Sequence, residues 1–207
     1  ASTSSEGEYE FRDGVWMSSA AFVSKRNVTL LHDWEMEVTA ESVGFATPTD
    51  KGGVTFYIAV GMSNNDSAAS LSGPFIYLRH VWSPRSEFVQ LQGYHVVNSI
   101  GVSAISSAAS LGWDGDLPLT MHYDSAADAL TLGDGTSSVV VANVRRSYIG
   151  DKGYLAMFGG IDWQNIAEDP NNPRPLENAQ VNLSFRSLSL PHLSPAIKNV
   201  MLYDAKT

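Results

Sequence analysis

The chain holds no cysteine in its 207 residues. That excludes disulfides, thiolate metal sites and a cysteine nucleophile. It does not exclude an oxidising compartment, because a domain of this length needs no covalent staples. Basic charge is also scarce, with 13 Lys and Arg against 22 Asp and Glu for a net charge of −9. The basic residues are scattered and adjacent only in Lys25-Arg26 and Arg145-Arg146. Without a basic stripe, neither nucleic acid nor direct membrane contact is expected. Long apolar runs are missing too, since none approaches the roughly 20 residues that span a bilayer. The opening "ASTSSEGE" is polar and lacks a signal-peptide core, so the chain reads as mature or truncated. Helical periodicity is equally absent, for no stretch of twelve or more residues sustains it.

What the chain does contain is short strand-like segments. "DWEMEV", "GGVTFYIAVGM", "PFIYLRHVW", "EFVQLQGYHVV", "LPLTMHYD", "ALTLGDG", "SSVVVANV", "GYLAMFGG" and "VNLSFRSLSL" are rich in β-branched and aromatic residues and bounded by Gly, Pro, Asn or Asp. Many short strands between turn signals read as an all-β jelly-roll sandwich of two antiparallel sheets. The near-continuous apolar run "GGVTFYIAV" suits a central strand. "TMHYDSAADALTLGDGTSSVVV" holds two tight turns, Ser125–Asp128 and Gly133-Asp134-Gly135, and reads as a three-strand meander. "VNLSFRSLSL" alternates with one slip at Ser187, which suggests a bulge. "AISSAASLG" (104–112) fits a helical turn or a loop, and "DPNNPRPLENAQ" (169–180) fits a loop. One domain is expected over residues 1–190, with 191–207 as an extension or the start of a linker.

Candidate chemistry begins at Asp33, Glu35 and Glu37, which alternate with Trp34, Met36 and Val38. On a strand, alternate side chains share a face, so three carboxylates would form a row. Laminarinase-type glycoside hydrolases also carry acids along one strand of a sandwich, in the order Glu-x-Asp-x-x-Glu or Glu-x-Asp-x-Glu. Here the order is Asp-x-Glu-x-Glu, so the periodicity agrees and the residue order does not. The plainer reading is a half-buried strand with its acids in water. The five histidines His32, His80, His95, His122 and His192 lack metal-ligand spacing. Gly133-Asp134-Gly135 lacks the acid repeats of a calcium loop and reads as a hairpin turn. No P-loop, dinucleotide fingerprint or Gly-x-Ser-x-Gly elbow occurs. No catalytic residue is therefore assigned. Three sequons, at Asn27, Asn65 and Asn182, mark candidate glycosylation sites.

The ordered set Gly14-Val15-Trp16, "DWEMEV", "SVGFATPTDKGGVTFYI", "GPFIYL", "LTMHYDSAADALTL", "GDKGYLAMFGG" and "VNLSFRSLSL" resembles the L-type (legume-type) lectins over residues 14–190. Within them it is most similar to the cargo receptors of the early secretory pathway. The resemblance implies a concanavalin-A-like sandwich, with sugar bound in loops over the concave face. It also implies that the strand like "DWEMEV" is structural. The family's metal loop, Asp-x-aromatic-x-Asn, falls on "LRHVWSPRSE", where Arg79 and His80 replace the first ligands. A guanidinium beside a divalent cation is electrostatically unfavourable, so Arg79 is expected to take the cation's place, with no metal or other cofactor. The family's paired cysteines are missing as well. By the same resemblance, Asp50 matches the turn aspartate that accepts sugar hydroxyls, and Gly159-Gly160-Ile161 matches a loop whose backbone N–H groups face the sugar. Trp82 and Trp163 are candidate stacking platforms. The loops at 48–53, 79–86 and 159–164 are expected to meet at one edge of the concave sheet.

The function implied is non-enzymatic recognition of glycans on glycoproteins, in the secretory lumen or at the cell surface. The alternative is a sugar-inactive domain of the same fold that contacts another protein, and a β-glucan hydrolase ranks third. Without an essential cation, thermal unfolding in EDTA and in excess Ca²⁺ should agree within about 1–2 °C, since only a ligand of the native state shifts the transition. A calcium-dependent rise of several degrees would sink that expectation.

Overall fold

The computed structural model describes residues 3–6, 9–14, 19–43, 53–83, 86–112, 116–164, 180–187 and 197–203, with side chains over 21–37, 57–81, 88–112 and 117–159. Along the chain run β1 (Thr3–Glu6), β2 (Tyr9–Gly14), β3 (Ser19–Ser24), β4 (Val28–Thr29), β5 (Trp34–Val43), β6 (Gly53–Ser63), β7 (Gly73–Ser83) and β8 (Ser86–Val97). There follow β9 (Ile100–Ala104), β10 (Ala109–Leu111), β11 (Asp116–Asp124), β12 (Ala129–Gly133), β13 (Ser138–Ala142), β14 (Lys152–Gln164), β15 (Gln180–Ser187) and β16 (Ile197–Tyr203). One turn of π-helix, Val144–Ile149, is the only helical element among the described residues.

These strands form two antiparallel sheets, so the expected all-β sandwich is present. The ten-stranded sheet runs β1-β2-β3-β14-β6-β7-β8-β10, with β4 on β14 and β9 on β8; the six-stranded sheet runs β13-β12-β11-β5-β15-β16. The main core lies between them. Ile58, Val60, Ile76, Leu78 and Leu91 of the larger sheet meet Trp34, Met36, Leu119, Met121, Tyr123 and Leu130 of the smaller. Both tight turns of the meander are found. Asp134 accepts the N–H groups of Thr136 and Ser137 at 2.8 and 2.7 Å, and Gly135 supplies the positive φ of 88°. Those donors, Ser137 first, hold the Asp134 carboxyl below its usual range.

Two local expectations change. Segment 104–112 is not helical: β9 ends at Ala104 and β10 resumes at Ala109 along the same neighbour, β8. The small residues between them permit a break in an edge strand. The irregularity in β15 lies between Leu183 and Phe185, in its pairing with β16, rather than at Ser187. Within the expected extension, residues 197–203 are β16, which pairs with β15 at the edge of the six-stranded sheet.

The acidic row of β5 follows from its place in the sheet. Trp34 and Met36 are 2% and 5% exposed and face the core, while Glu35 and Glu37 take the outer face beside His122 and Thr120 of β11. Asp33 precedes the strand and accepts the Ser125 hydroxyl and N–H at 2.6 and 2.8 Å. Those bonds lower its pKa, the hydroxyl contributing most. The row therefore ties a surface turn and decorates a half-buried strand. Trp34 stacks on Tyr123 with ring centroids 5.9 Å apart. Trp34→Ala should cost about 3–5 kcal/mol, while Glu35→Gln and Glu37→Gln should stay within about 0.5 kcal/mol. Urea unfolding checks both, and equal costs would contradict the assignment of faces.

One buried carboxylate joins the meander to the π-helical turn. Asp128, 2% exposed, accepts the Tyr123 hydroxyl at 2.9 Å and the N–H groups of Arg145 and Arg146 at 2.7 and 3.1 Å. It sits at φ 53°, a conformation that Asp and Asn tolerate best among non-glycine residues. Burial first, then this bond to Asp128, pushes the Tyr123 phenol well above its usual range. Asp128→Ala strands three donors and should cost about 2–3 kcal/mol, whereas Asp128→Asn keeps an acceptor and the backbone preference and should cost clearly less. Indistinguishable losses in chemical denaturation would refute this role.

Candidate functional site

Alternation along the central strands of the ten-stranded sheet gives it two different faces. Ile58, Val60, Ile76 and Leu78 point into the main core. Tyr57, Phe75, Tyr77, Tyr94 and Phe158 point the other way and gather with Val23, Ala59, Val96 and Ala156. One end of that outer cluster is roofed by the connection between β6 and β7, which contributes buried Ala68 and Leu71. This roof is pinned to the β8–β9 hairpin: Ser99 N–H donates to the Leu71 carbonyl at 2.7 Å and Asn98 N–H to the Ser72 hydroxyl at 3.0 Å. Asn98 and Ser99 have positive φ, 51° and 63° respectively, as a two-residue turn of primed type requires.

Beyond the roof the outer face becomes polar. Arg79 follows Tyr77 by two on β7 and therefore shares its face. Its Nη2 donates to Gln92 Oε1 at 3.1 Å and to the Tyr94 hydroxyl, and Tyr94 in turn donates to Gln92 Oε1 at 2.9 Å. The Arg79 guanidinium lies 5.1 Å from the Tyr94 ring centroid, within cation–π range. Tyr77 stacks on Tyr57 at 5.8 Å and meets Phe158 edge-on at 5.5 Å. Burial first, then Tyr57, raises the Tyr77 pKa far above the usual phenol range, with Arg79 acting in the opposite direction. Tyr77 thus presents a neutral hydroxyl throughout the physiological range.

Gln92 is held by the break between β9 and β10, its Nε2 donating to the Ser106 carbonyl at 3.5 Å. The next residue, Gly93, gives its N–H to the Ser106 hydroxyl at 2.6 Å, and a Cβ on Gly93 would stand 2.9 Å from that oxygen and 2.7 Å from Val141 Cγ2. Only glycine fits such a close approach. The break between β9 and β10 therefore lets Ser106 turn in on the side of Val141 and the main core.

Register shows which sequence-expected residues come together. Gly160 pairs with Tyr57, Tyr57 with Arg79, and Arg79 with Gln90, forming one row across β14, β6, β7 and β8. With strands about 4.8 Å apart, the Gly160 and Arg79 Cα atoms stand roughly 10 Å apart. Three residues further along, Trp163, Val54 and Trp82 form a second row. The described parts of 48–53, 79–86 and 159–164 thus share one end of the sheet. Asp50 lies outside the described residues.

Two assignments change in kind. Gly159-Gly160-Ile161 is not a loop but part of β14, paired with Ile58, Tyr57 and Phe56, and Gly159 also pairs with Ala20 of β3. Its backbone is engaged in sheet ladders rather than offered to a ligand. His80 is 5% exposed and takes the core side with Leu78, so it cannot line a surface with Arg79, its neighbour in sequence. Sequence reading missed Tyr57, Tyr77, Gln92 and Tyr94. The available signal was spacing by two, Tyr77-x-Arg79 and Gln92-x-Tyr94, on strands whose alternate residues are apolar.

The sequons differ in openness. Asn27 is exposed. Asn65 is used by its own loop, donating to the Ser70 carbonyl at 2.9 Å and accepting the Ser67 N–H at 3.1 Å. Asn182 sits within β15, between Glu41 and Met201. Among the described residues no group of three or more His, Asp or Glu side chains is placed to hold a metal.

Fold and face together define an all-β, two-sheet domain with an aromatic and arginine surface on its larger sheet. No family model matches the chain, and no curated protein matches it. Among solved structures the chain is similar to the carbohydrate recognition domain of Emp47p, at 15% identity over 79% of this chain and 85% of that one, with TM-score 0.46. It is similar to the potassium-bound carbohydrate recognition domain of Emp46p, at 15% identity over 77% and 78%, with TM-score 0.47. The VIP36 exoplasmic/lumenal domain bound to Ca²⁺ and Man3GlcNAc is similar at 12% identity over 94% and 89%, with TM-score 0.47.

Proposed function

We propose that this is a non-enzymatic carbohydrate-binding domain that recognises glycans on glycoproteins without a bound metal, in the secretory lumen or at the cell surface. One observation carries the reading: Arg79, Gln92, Tyr94 and Tyr77 set hydrogen-bonding groups beside aromatic rings on one partly exposed sheet face. A sugar needs both, since its ring hydroxyls seek directed donors and acceptors while its C–H faces seek apolar surface. Orientation comes from a few fixed polar groups amid apolar lining. Arg79 supplies a fixed cationic donor where the resemblance would put a metal ligand. Asp50 is proposed to extend the surface; Trp82 and Trp163 stand three residues from Arg79 and Gly160 along their strands, where alternation does not bring a residue to this face, and no part in it is proposed for them. The acidic row Asp33, Glu35 and Glu37 belongs to the other sheet, and we assign it no part in the site.

A second reading has an observation of its own. Ile100 and Val102 of β9 are 65% and 56% exposed, on a strand that among the described residues pairs with β8 alone. An uncharged open edge suits addition of a strand from another protein, which would make this a sugar-inactive interaction domain.

A glycan array run with and without EDTA separates the two. The first reading expects bound glycans whose signal survives chelation and falls at least tenfold, about 1.4 kcal/mol, in Tyr94→Phe. That variant keeps the ring and removes the hydroxyl shared by Arg79 and Gln92. An empty array, with protein binding that is lost when Val102 becomes Lys, would favour the second reading. Signal that disappears with EDTA would refute the metal-free form of the first.

A further inference from the structure

Resting on the carbohydrate reading, we propose that Phe88 is the stacking platform of the site. The ligand is then a neutral oligosaccharide of several linked rings, laid along β8. Of the aromatic residues whose side chains are described, Phe88 alone is exposed, at 43%; the others are buried or half-buried. A lone exposed apolar residue needs no ligand to explain it. What singles out Phe88 is its place.

That place follows from the pleat. Val89 and Leu91 of β8 enter the main core, so Phe88, Gln90, Gln92 and Tyr94 take the outer face in turn. Pairing with β7 runs unbroken from Ser86 to Val96, so the alternation carries through without a slip. Phe88 stands opposite Val81, Gln90 opposite Arg79, and Gln92 opposite Tyr77. The row of Phe88 and Val81 continues through Thr55 to Asp162 and adjoins the row of Arg79 and Tyr57. On the other side of β8, pairing with β10 ends at Leu111 opposite Val89. A Cβ on the next residue, Gly112, would meet no atom within 4 Å. The flank beside Phe88 is open.

The groups along this strip suit a sugar chain. The C–H face of a sugar ring is apolar and slightly positive, and an aromatic ring offers it both desolvation and a negative π face. Carboxamides such as Gln90 and Gln92 offer donors and acceptors together, as neutral hydroxyls require. Gln92 is already oriented, its Oε1 accepting from Arg79 and Tyr94. Spacing then sets the length of the ligand. At about 3.4 Å per residue, Phe88 stands roughly 14 Å from Gln92 and roughly 20 Å from Tyr94 along β8. The Arg79 guanidinium leans toward Gln92 and Tyr94, away from Phe88. A single ring at that polar end leaves Phe88 untouched, whereas linked rings reach it.

The test titrates mono-, di-, tri- and tetrasaccharides of β-linked glucose, α-linked mannose and β-linked N-acetylglucosamine calorimetrically into the whole chain. The proposal expects at least one series to gain tenfold or more in affinity from its shortest member to its longest. Phe88→Ala should abolish that gain, while the shortest sugar that binds keeps its affinity. Phe88→Tyr keeps the ring and should keep the gain. Should Phe88→Ala fail to fold, as its thermal transition would reveal, Phe88→Leu keeps apolar bulk without the π face and should lose most of the gain. Affinity that is flat with length, or a gain that survives Phe88→Ala, overturns the proposal and leaves the carbohydrate reading standing. An effect of Phe88→Ala on oligomeric state alone, read by light scattering, assigns Phe88 to a protein contact and overturns it likewise. Binding of no sugar in the set, together with an empty array, overturns both.

Discussion

Everything on the outer face depends on the register of β6 between β7 and β14. An antiparallel ladder fixes which residues stand side by side, and a slip by one residue would send every side chain to the opposite face. In the observed register Tyr57 stands beside Arg79 and Ala59 beside Tyr77. The same register sends Ile58 and Val60 to the core. Burial of that core therefore specifies the polar face as a by-product. The energy that selects the register is hydrophobic and lies on one side, while the hydrogen bonds among Arg79, Gln92 and Tyr94 lie on the other.

The roof over the apolar end of the face follows from the same constraint. Phe75 and Phe158 point away from the main core, with centroids 5.2 Å apart, and would be solvated if nothing covered them. The β6–β7 connection closes over them with Leu71, and its polar groups are satisfied largely within the loop and by the β8–β9 hairpin. The face thus grades from a sealed apolar end to a hydrogen-bonding end.

Much of this was legible in the sequence, for reasons tied to period. The nine strand segments, the two meander turns and the structural nature of the Asp33–Glu37 row all follow from alternation and turn chemistry. Arg79 stood out only through the resemblance; its place on one face with Tyr77 follows from their spacing by two on β7. Less legible was anything that depends on pairing between distant strands. Gly159-Gly160 ends the strand-like segment "GYLAMFGG" and reads as a loop only through the resemblance, whereas its long-range pairing with Ile58 and Tyr57 makes it sheet. His80 looked available beside Arg79 because linear adjacency hides the pleat. The Tyr57, Tyr77 and Tyr94 group comes from three strands, and no single segment announces it.

The position of β5 has a consequence for the order in which the chain takes shape. Its neighbours are β11 on one side and β15 on the other, with Met36 opposite Met121 and Glu41 opposite Asn182. Both partners are made long after β5 itself, whereas β6, β7 and β8 follow one another directly and pair as consecutive hairpins. As the polypeptide emerges during synthesis, the β6–β8 hairpins can close early at small entropic cost, while β5 waits with its apolar side uncovered. Its alternating acids then act as solubilising guards on a strand that stays unpaired until β11 is made.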